Sequence, residues 1–227
     1  MKNWILTETE KKIVLSLVKK DEEELKTNDK FAIIDSDTFY KSFSEDEKYI
    51  FEKYLNFNPQ EIRYKLLYLG LEEMPRDIVK IKNQIYFLNG QKRIYYCQYL
   101  PKETYLAYCK MNESIQKKLH KKLLVSQGYH SPARHAFIFF ENLIEYNFDF
   151  IKTVGRVCFP AYSEHVCSRK QAIDFLTQDG IKGEGFEKTR EYEWLKENAN
   201  RFGFSESYPK NNNLEIMWEP WHWHHEN

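Results

Sequence analysis

The stretch Trp218-Glu219-Pro220-Trp221-His222-Trp223-His224-His225 carries the most informative pattern of the sequence. It places a carboxylate three positions before an imidazole and surrounds both with tryptophans. Zinc hydrolases use such a pair, because a neutral imidazole nitrogen binds the metal while a carboxylate held off the metal takes a proton from water. A Glu and a His at this spacing also occur by chance, and tryptophans also pack onto cores. The stretch therefore predicts a metal site only if the rest of the chain supplies further ligands.

Charge and hydropathy narrow the functional class. The chain has 227 residues with 34 acidic and 34 basic side chains, whereas nucleic-acid-binding and polybasic membrane proteins usually carry excess positive charge. Residues 1–20 contain no uninterrupted apolar run of the kind found in secretory signals. No segment approaches the ~20 apolar residues of a membrane span. We therefore expect a soluble cytoplasmic protein, with no nucleic-acid partner, although a processed form or one exported by another route would have the same features.

Residues 1–77 predict a mostly helical N-terminal extension. Ser44 and Glu47 have the spacing of a helix N-cap and its capping box, and apolar residues follow at helical spacing. A second helical stripe is predicted over residues 62–70. The charge run Asp21-Glu22-Glu23-Glu24 predicts a solvated face.

From residue 78 onward the pattern changes to that of a mixed helix and sheet domain, which we place at residues 78–227. Asn89-Gly90 lies between two β-prone runs and predicts a hairpin. Ser131 followed by Pro132 predicts the start of a helix. Further strands are predicted at 123–125, 156–159, 171–175 and 214–218, and a helix at 187–202 that ends at Gly203.

Asp174 is unusual because it lies between Ile173 and Phe175 in a predicted strand. A carboxylate in an apolar strand is costly unless it is paired or binds a metal. The ordinary explanation for a single such residue is a buried salt bridge. His165 precedes Asp174 by nine positions, so a metal site is the second explanation that the sequence leaves open.

Three elements together resemble the zinc D-alanyl-D-alanine carboxypeptidase family, the VanY-type LAS metallopeptidases, which also includes VanX-type dipeptidases. The family pattern S-x-H-x-x-G-x-A-x-D is similar to the stretch that runs from Ser163 to Asp174, and the family pattern E-x-W-H matches the stretch from Glu219 to His222. Gly128-Tyr129-His130-Ser131 stands where the family has G-Y-R-S. The order and the approximate spacing of the three elements agree with the family.

The resemblance implies an α+β fold, in which a small antiparallel sheet with packed helices carries a zinc site, as in the LAS metallopeptidase or hedgehog-like fold. It implies Zn2+ held by His165, Asp174 and His222, with Glu219 as the general base. Two neutral imidazoles and one carboxylate leave such a site net positive, which favours acidifying water toward a pKa of about 7. Three protein ligands also leave a fourth position open, as in catalytic sites. Cys167 is expected to be a bystander rather than a fourth ligand.

The sequence departs from the family pattern in three places. His165 and Asp174 are nine apart where the family has seven, so residues 166–170 are expected to form a longer loop. Lys170 stands where the family has glycine. His130 replaces an arginine that stabilises the oxyanion in the family, and the loss of one such donor costs ~10²–10³ in rate. Protonated His130 and Arg134 are the two candidates to replace it.

The resemblance also suggests roles for residues around the ligands. Trp221 is expected to line the site, and Tyr129 is a further lining candidate. Ser163 is expected either to hydrogen-bond the substrate or to cap a turn. His224 and His225 are expected to belong to a frayed tail rather than to bind metal.

The implied function is a zinc-dependent peptidase that hydrolyses peptidoglycan stem peptides, with D-Ala-D-Ala carboxypeptidase as the first expectation and a peptidoglycan-derived peptide as partner. A cytoplasmic D,D-dipeptidase or a phage-lysin-like endopeptidase would use the same centre. A degenerate, non-catalytic zinc-binding domain is the alternative of another class, and the missing arginine motivates it. Action in the periplasm or at the cell wall would require export. The scissile bond, the role of residues 1–77 and the oligomeric state stay open.

Overall fold

A computed structural model describes residues 5–28, 30–57, 65–214 and 216–226. The helices are α1 (Glu8–Thr27), α2 (Ser36–Tyr40), α3 (Glu45–Leu55), α4 (Lys102–Leu119), α5 (Pro132–Glu145), α6 (Phe150–Val154) and α7 (Arg190–Asn198). The strands are β1 (Ile78–Lys80), β2 (Ile85–Leu88), β3 (Gln91–Ile94), β4 (Tyr99–Pro101), β5 (Leu123–Gln127), β6 (Lys170–Thr177), β7 (Phe204–Glu206) and β8 (His222–Glu226). These elements confirm the predicted α+β class. Within the described ranges, no helix is both long and apolar enough to cross a membrane.

The chain forms two compact units, each assembled from separate stretches of sequence. One comprises Met1–Glu72, His130–Val166 and Asn213–Met217, and the other comprises Glu73–Tyr129, Cys167–Asn212 and Trp218–Asn227. In the first unit, α1 and α3 pack against α5. The N-terminal helices and α5 therefore belong to one hydrophobic core, although about 75 residues separate α3 from α5 in the sequence.

Local capping chemistry sets where the helices of the first unit begin. Ser44 accepts a hydrogen bond from the backbone N–H of Glu47, and the Glu47 side chain accepts one from the Ser44 N–H, which confirms the predicted capping box. Ser131 caps α5 by accepting from the Arg134 N–H at 3.1 Å, with Pro132 at the first helical position. Both caps satisfy backbone donors that a helix start leaves unpaired.

Two secondary-structure predictions in this unit are wrong in the described residues. Residues 65–70 are not helical, and residues 62–64 of the same predicted stripe lie outside the described residues. Residues 156–159 do not form a strand. The backbone N–H groups of Arg156 and Val157 both donate to the Thr153 carbonyl, so this stretch prolongs the turns that follow α6.

The prediction of a solvated charge run is wrong for Asp21, whose side chain is fully buried. Asp21 pairs with Arg134 at 3.2 Å, and Arg134 pairs with Glu141 at 3.1 Å. Burial raises the pKa of the Asp21 carboxyl to about 8, with Arg134 opposing the rise and Glu141 adding to it. The Asp21 side chain is thus buried because the Arg134 side chain of α5 contacts it in the core.

The second unit is built on a four-stranded antiparallel sheet in the order β5-β6-β8-β7. The predicted hairpin is confirmed: β2 and β3 pair across Asn89 and Gly90, which have φ values of 52° and 74°. Positive φ at both central residues is what a tight type I′ turn requires. A further pair joins β1 to β4. Apolar residues of β5, β6 and β8 share a core with α4 and α7.

The end of the chain differs from the prediction. Residues 214 and 216–218 are not in a strand, and the last strand begins at His222. His224 and His225 lie within β8, so the expectation of a frayed tail is wrong for them. β8 pairs with β6 on one side and β7 on the other, which satisfies its backbone along both edges. The helix predicted at 187–202 is α7 followed by a 3-10 turn to Phe202, and Gly203 ends it with φ of 80°.

Candidate metal centre

Asp174 and His222 meet because their strands place them directly opposite each other. Asp174 of β6 pairs in register with His222 of β8. Residues opposite each other in an antiparallel pair project to the same face of the sheet. The His222 Nδ1 atom lies 2.9 Å from Asp174 Oδ1. The neighbours of Asp174, Ile173 and Phe175, belong to the apolar core, as the alternation of side chains along a strand requires.

Glu219 reaches the same place through a tight turn. The His222 N–H donates to the Glu219 carbonyl at 3.0 Å, which closes a four-residue turn, and proline is favoured at the second position of such turns. The Glu219 Oε2 atom lies 3.7 Å from His222 Nδ1. The Glu219 N–H donates to the Tyr208 carbonyl at 3.1 Å, and Trp221 O accepts from the Phe175 N–H at 2.9 Å. The stretch Glu219-Pro220-Trp221-His222 is therefore a tight turn that backbone hydrogen bonds to Tyr208 and Phe175 hold in place.

His165 lies in a turn that follows a 3-10 segment, Pro160–Tyr162. The turn is held by the Val166 N–H, which donates to the Ser163 carbonyl at 3.1 Å, and by the His165 N–H, which donates to Ser163 Oγ at 3.3 Å. The His130 N–H donates to the His165 carbonyl at 2.9 Å. The two imidazole rings stack with centroids 5.2 Å apart.

The longer loop predicted after His165 is present. A second turn follows the first, in which the Lys170 N–H donates to the Cys167 carbonyl at 3.3 Å. Strand β6 begins at Lys170, so the two additional residues are taken up before the strand and leave the register of Asp174 unaffected.

His165, Asp174 and His222 form a group that could hold a metal ion. All three are buried, and one ligand atom from each lies within 4.8 Å of the others. In a tetrahedral zinc site, bonds of about 2.0–2.2 Å place the donors roughly 3.5 Å apart. The donor separations, all within 4.8 Å, are somewhat wider than or comparable to that spacing, and two imidazoles with one carboxylate suit zinc chemically. Cys167, which is also described, is not a member of the group.

The two candidates for the missing arginine differ in their surroundings. His130 is buried, with its ring 5.2 Å from that of His165 and 6.1 Å from that of His135. Arg134 is held by carboxylates on both sides, Asp21 and Glu141. The His130 ring thus stacks on the ring of His165, whereas the Arg134 guanidinium donates hydrogen bonds to Asp21 and Glu141.

The remaining predicted site residues are buried. Tyr129 has about 1% of its surface exposed, and its backbone N–H donates to the Tyr99 carbonyl at 2.7 Å. Trp221 is a member of the apolar core cluster. Ser163 is 2% exposed and directs its hydroxyl toward His135 and the backbone of His165. The hydrogen bonds of Ser163 favour the turn-capping alternative over substrate binding.

Two residues at the site had no role assigned to them from the sequence. The Tyr208 ring lies 4.8 Å from that of His222, and its carbonyl holds the Glu219 backbone. His135 lies on the buried face of α5 and contacts Ser163. The position of His135, four residues before the core residue Phe139, was the available signal, because helical residues at that spacing share a face.

The chain is similar to a known family and to proteins of known structure. Residues 97–227 match the family model described as VanY: D-alanyl-D-alanine carboxypeptidase. The putative carboxypeptidase YodJ of Bacillus subtilis (strain 168) is 30% identical over 127 residues, which are 55% of this chain and 45% of that protein. The chain thus spans under half the length of this curated relative.

Two solved structures are similar to the chain. The LdcB LD-carboxypeptidase, whose structure is described as revealing the basis of peptidoglycan recognition, has a TM-score of 0.54 and 25% identity, over 69% of this chain and 74% of that one. A mutant of the vancomycin resistance D,D-pentapeptidase VanY in complex with Zn(II) has a TM-score of 0.51 and 21% identity, over 72% of this chain and 88% of that one. The similarity to the VanY structure supports the fold. The names of the three relatives all describe peptidases.

Proposed function

The chain belongs to the VanY family of D-alanyl-D-alanine carboxypeptidases, and from this membership we propose that it is a zinc-dependent peptidase acting on peptidoglycan stem peptides. The bond we propose is the one that joins the two terminal D-alanines of a stem pentapeptide. The observation that carries the proposal is the grouping of His165, Asp174 and His222, whose ligand atoms lie within 4.8 Å of one another. A structural ion pair alone would need only two of these residues.

The three ligand residues would hold the ion through two neutral nitrogens and one carboxylate oxygen. A bound zinc ion supplies Lewis-acid chemistry, which polarises a carbonyl and makes water more acidic. The backbone hydrogen bond between His130 and His165 and the strand register of Asp174 and His222 keep the donors in place. Pre-positioned donors of this kind reduce the entropy lost on binding a metal.

Glu219 is the proposed general base. Its Oε2 atom lies 3.7 Å from His222 Nδ1, which is close to the ligand group but beyond hydrogen-bond distance of that nitrogen. This is the placement expected of a carboxylate that takes a proton from water and returns it to the leaving amine. The turn and the Tyr208 carbonyl hold the Glu219 backbone, so the carboxylate approaches from a defined direction.

His130 is the proposed replacement for the family arginine. Arg134 is less suited, because its guanidinium donates hydrogen bonds to Asp21 and Glu141, and moving it toward a substrate would deprive the buried Asp21 carboxyl group of that donor. We therefore assign oxyanion stabilisation to His130, whose ring can donate a hydrogen bond through an N–H group.

The test is a digest of a synthetic stem pentapeptide ending in D-Ala-D-Ala by zinc-loaded protein, followed by mass spectrometry. Loss of one alanine is expected. Glu219→Gln should retain zinc and lose roughly 10²–10⁴-fold in rate, the usual contribution of a general base. Glu226→Gln is the matched control, since Glu226 is an exposed residue at the end of β8. A zinc-loaded wild type that cleaves no stem peptide would overturn the proposal.

An L,D-carboxypeptidase is the second candidate, and the 25% identity to the LdcB LD-carboxypeptidase favours it. Such an enzyme removes the single terminal D-alanine of a tetrapeptide. A tetrapeptide in the same digest separates the two activities. Free D-Ala-D-Ala and a cross-linked muropeptide, run in parallel, test the dipeptidase and endopeptidase alternatives. A degenerate zinc-binding domain would bind the metal and cleave none of the four substrates.

A further inference from the structure

We propose that His135 is a positioning residue, which orients the Ser163 hydroxyl so that Ser163 holds the backbone of His165. The inference rests on the proposed function, in which His165 is a metal ligand. One chain of hydrogen bonds supports it, in which Ser163, His135 and His165 are buried and Cys158 is half-buried. His135 Nε2 lies 3.0 Å from the Cys158 carbonyl oxygen, and His135 Nδ1 lies 3.4 Å from Ser163 Oγ. The His165 N–H lies 3.3 Å from Ser163 Oγ.

The direction of each hydrogen bond follows from the chemistry of the groups. A carbonyl oxygen only accepts, so the hydrogen of the neutral His135 ring is on Nε2 and its Nδ1 is an acceptor. A backbone N–H only donates, so the His165 amide uses a lone pair of Ser163 Oγ. Of these two neighbours of Ser163 Oγ, only His135 Nδ1 can accept the hydroxyl hydrogen. Ser163 therefore donates to His135 and accepts from His165.

The hydrogen bond between Ser163 and His135 matters because both side chains are buried. Ser163 and His135 are 2% and 3% exposed, and a buried polar group that loses its partner is costly. Without an acceptor at His135 Nδ1, the Ser163 hydroxyl would lose its orientation, and its lone pair would no longer be directed at the His165 amide. Ser163 thus acts on the ligand backbone, and His135 acts through Ser163.

The first experiment reads the tautomer in the metal-free wild type. Two-bond proton–nitrogen NMR spectra distinguish an imidazole protonated at Nε2 from one protonated at Nδ1. We expect the Nε2 tautomer for His135, and the Nδ1 tautomer would overturn the proposal. This measurement requires no zinc and no activity, so it stands even if the proposed function fails.

The second experiment is a double-mutant cycle on zinc affinity, measured by competition with a chromophoric chelator. His135→Phe and Ser163→Ala should each weaken zinc binding by about tenfold, a typical cost for residues that orient metal ligands. In the Ser163→Ala background, His135→Phe should have no further effect, because the two residues act in one chain. His135→Asn, which can place an amide oxygen near the position of Nδ1, should recover most of the affinity.

The outcomes separate the two proposals. Additive losses from the two substitutions, or an unchanged affinity for His135→Phe, would overturn the positioning role. If the wild type itself binds no zinc, the proposed function fails, and the tautomer measurement alone then decides whether His135 orients Ser163. Urea unfolding of each metal-free variant identifies any loss that is due to unfolding.

Discussion

Replacing Phe51 by alanine tests whether the N-terminal helices and α5 share one core. Phe51 is fully buried on α3. Its ring lies 5.2 Å from that of Phe137 on α5 and 5.5 Å from that of Phe43. The substitution removes a large apolar side chain and leaves a cavity among rings that cannot collapse freely. Phe→Ala changes in cores cost about 3–5 kcal/mol, and the loss of aromatic pairs contributes to that cost.

The expected result is a fall of about 3–5 kcal/mol in the free energy of unfolding, measured by urea titration with far-UV circular dichroism. At roughly 2–4 °C per kcal/mol for a domain of this size, the melting temperature should drop by roughly 6–20 °C. Tyr49→Ala is the matched control on the same helix, because Tyr49 is 64% exposed. Exposed substitutions of that kind usually change stability by about 0.5 kcal/mol or less. A loss below about 1 kcal/mol for Phe51→Ala would refute the shared core.

Three further predictions concern charge, backbone contact and metal. In the folded state the Asp21 carboxyl has a pKa of about 8, against an ordinary value of 3.8, so this group makes the stability of the protein fall as the pH rises between those values. Asp21→Asn should flatten the pH dependence of stability, measured by urea unfolding at several pH values. An unchanged slope would contradict the burial argument. Gly128→Ala should severely destabilise the fold, because an added Cβ would lie 2.3 Å from the Tyr99 carbonyl oxygen. Gly155→Ala is the control and should be tolerated, because the nearest atom to its added Cβ would lie at 3.6 Å. Equal melting temperatures of the two variants would show that the close contact is absent. Zinc at ~1,000 times its Kd should raise the free energy of unfolding by about 4 kcal/mol, and a chelator should reverse the effect. His222→Ala should abolish this stabilisation. A stabilisation that survives the substitution would place the metal elsewhere.

Local chemistry explains which parts of the fold were predictable. The Ser44 capping box, the Ser131-Pro132 helix start and the Asn89-Gly90 hairpin each depend on hydrogen bonds or φ values within a few residues. Such elements are determined by short sequence windows, so they were predicted with their correct type. The candidate ligands were predictable for a different reason. Their order and spacing resemble a family pattern, although the residues are distant in the sequence.

Two of the errors share one physical cause, which is pairing between distant parts of the chain. The stretch before Glu219 has strand-forming residues, yet β8 begins at His222, because the partners β6 and β7 pair with residues 222–226. Asp21 was expected in solvent, yet Arg134, 113 residues away, meets it in the core. No short window of sequence contains either partner.

The sequence by itself determined the kinds of helix start and turn, the α+β class and the identity of three candidate ligands, because these depend on local hydrogen bonds and on a spacing pattern. Only the tertiary structure decided that Asp174 and His222 face each other across two paired strands. It also decided that the Ser163 hydroxyl lies 3.4 Å from Nδ1 of His135, 28 residues earlier. Strand register and buried hydrogen bonds depend on which distant groups arrive at the same place, and that is settled when the whole chain packs.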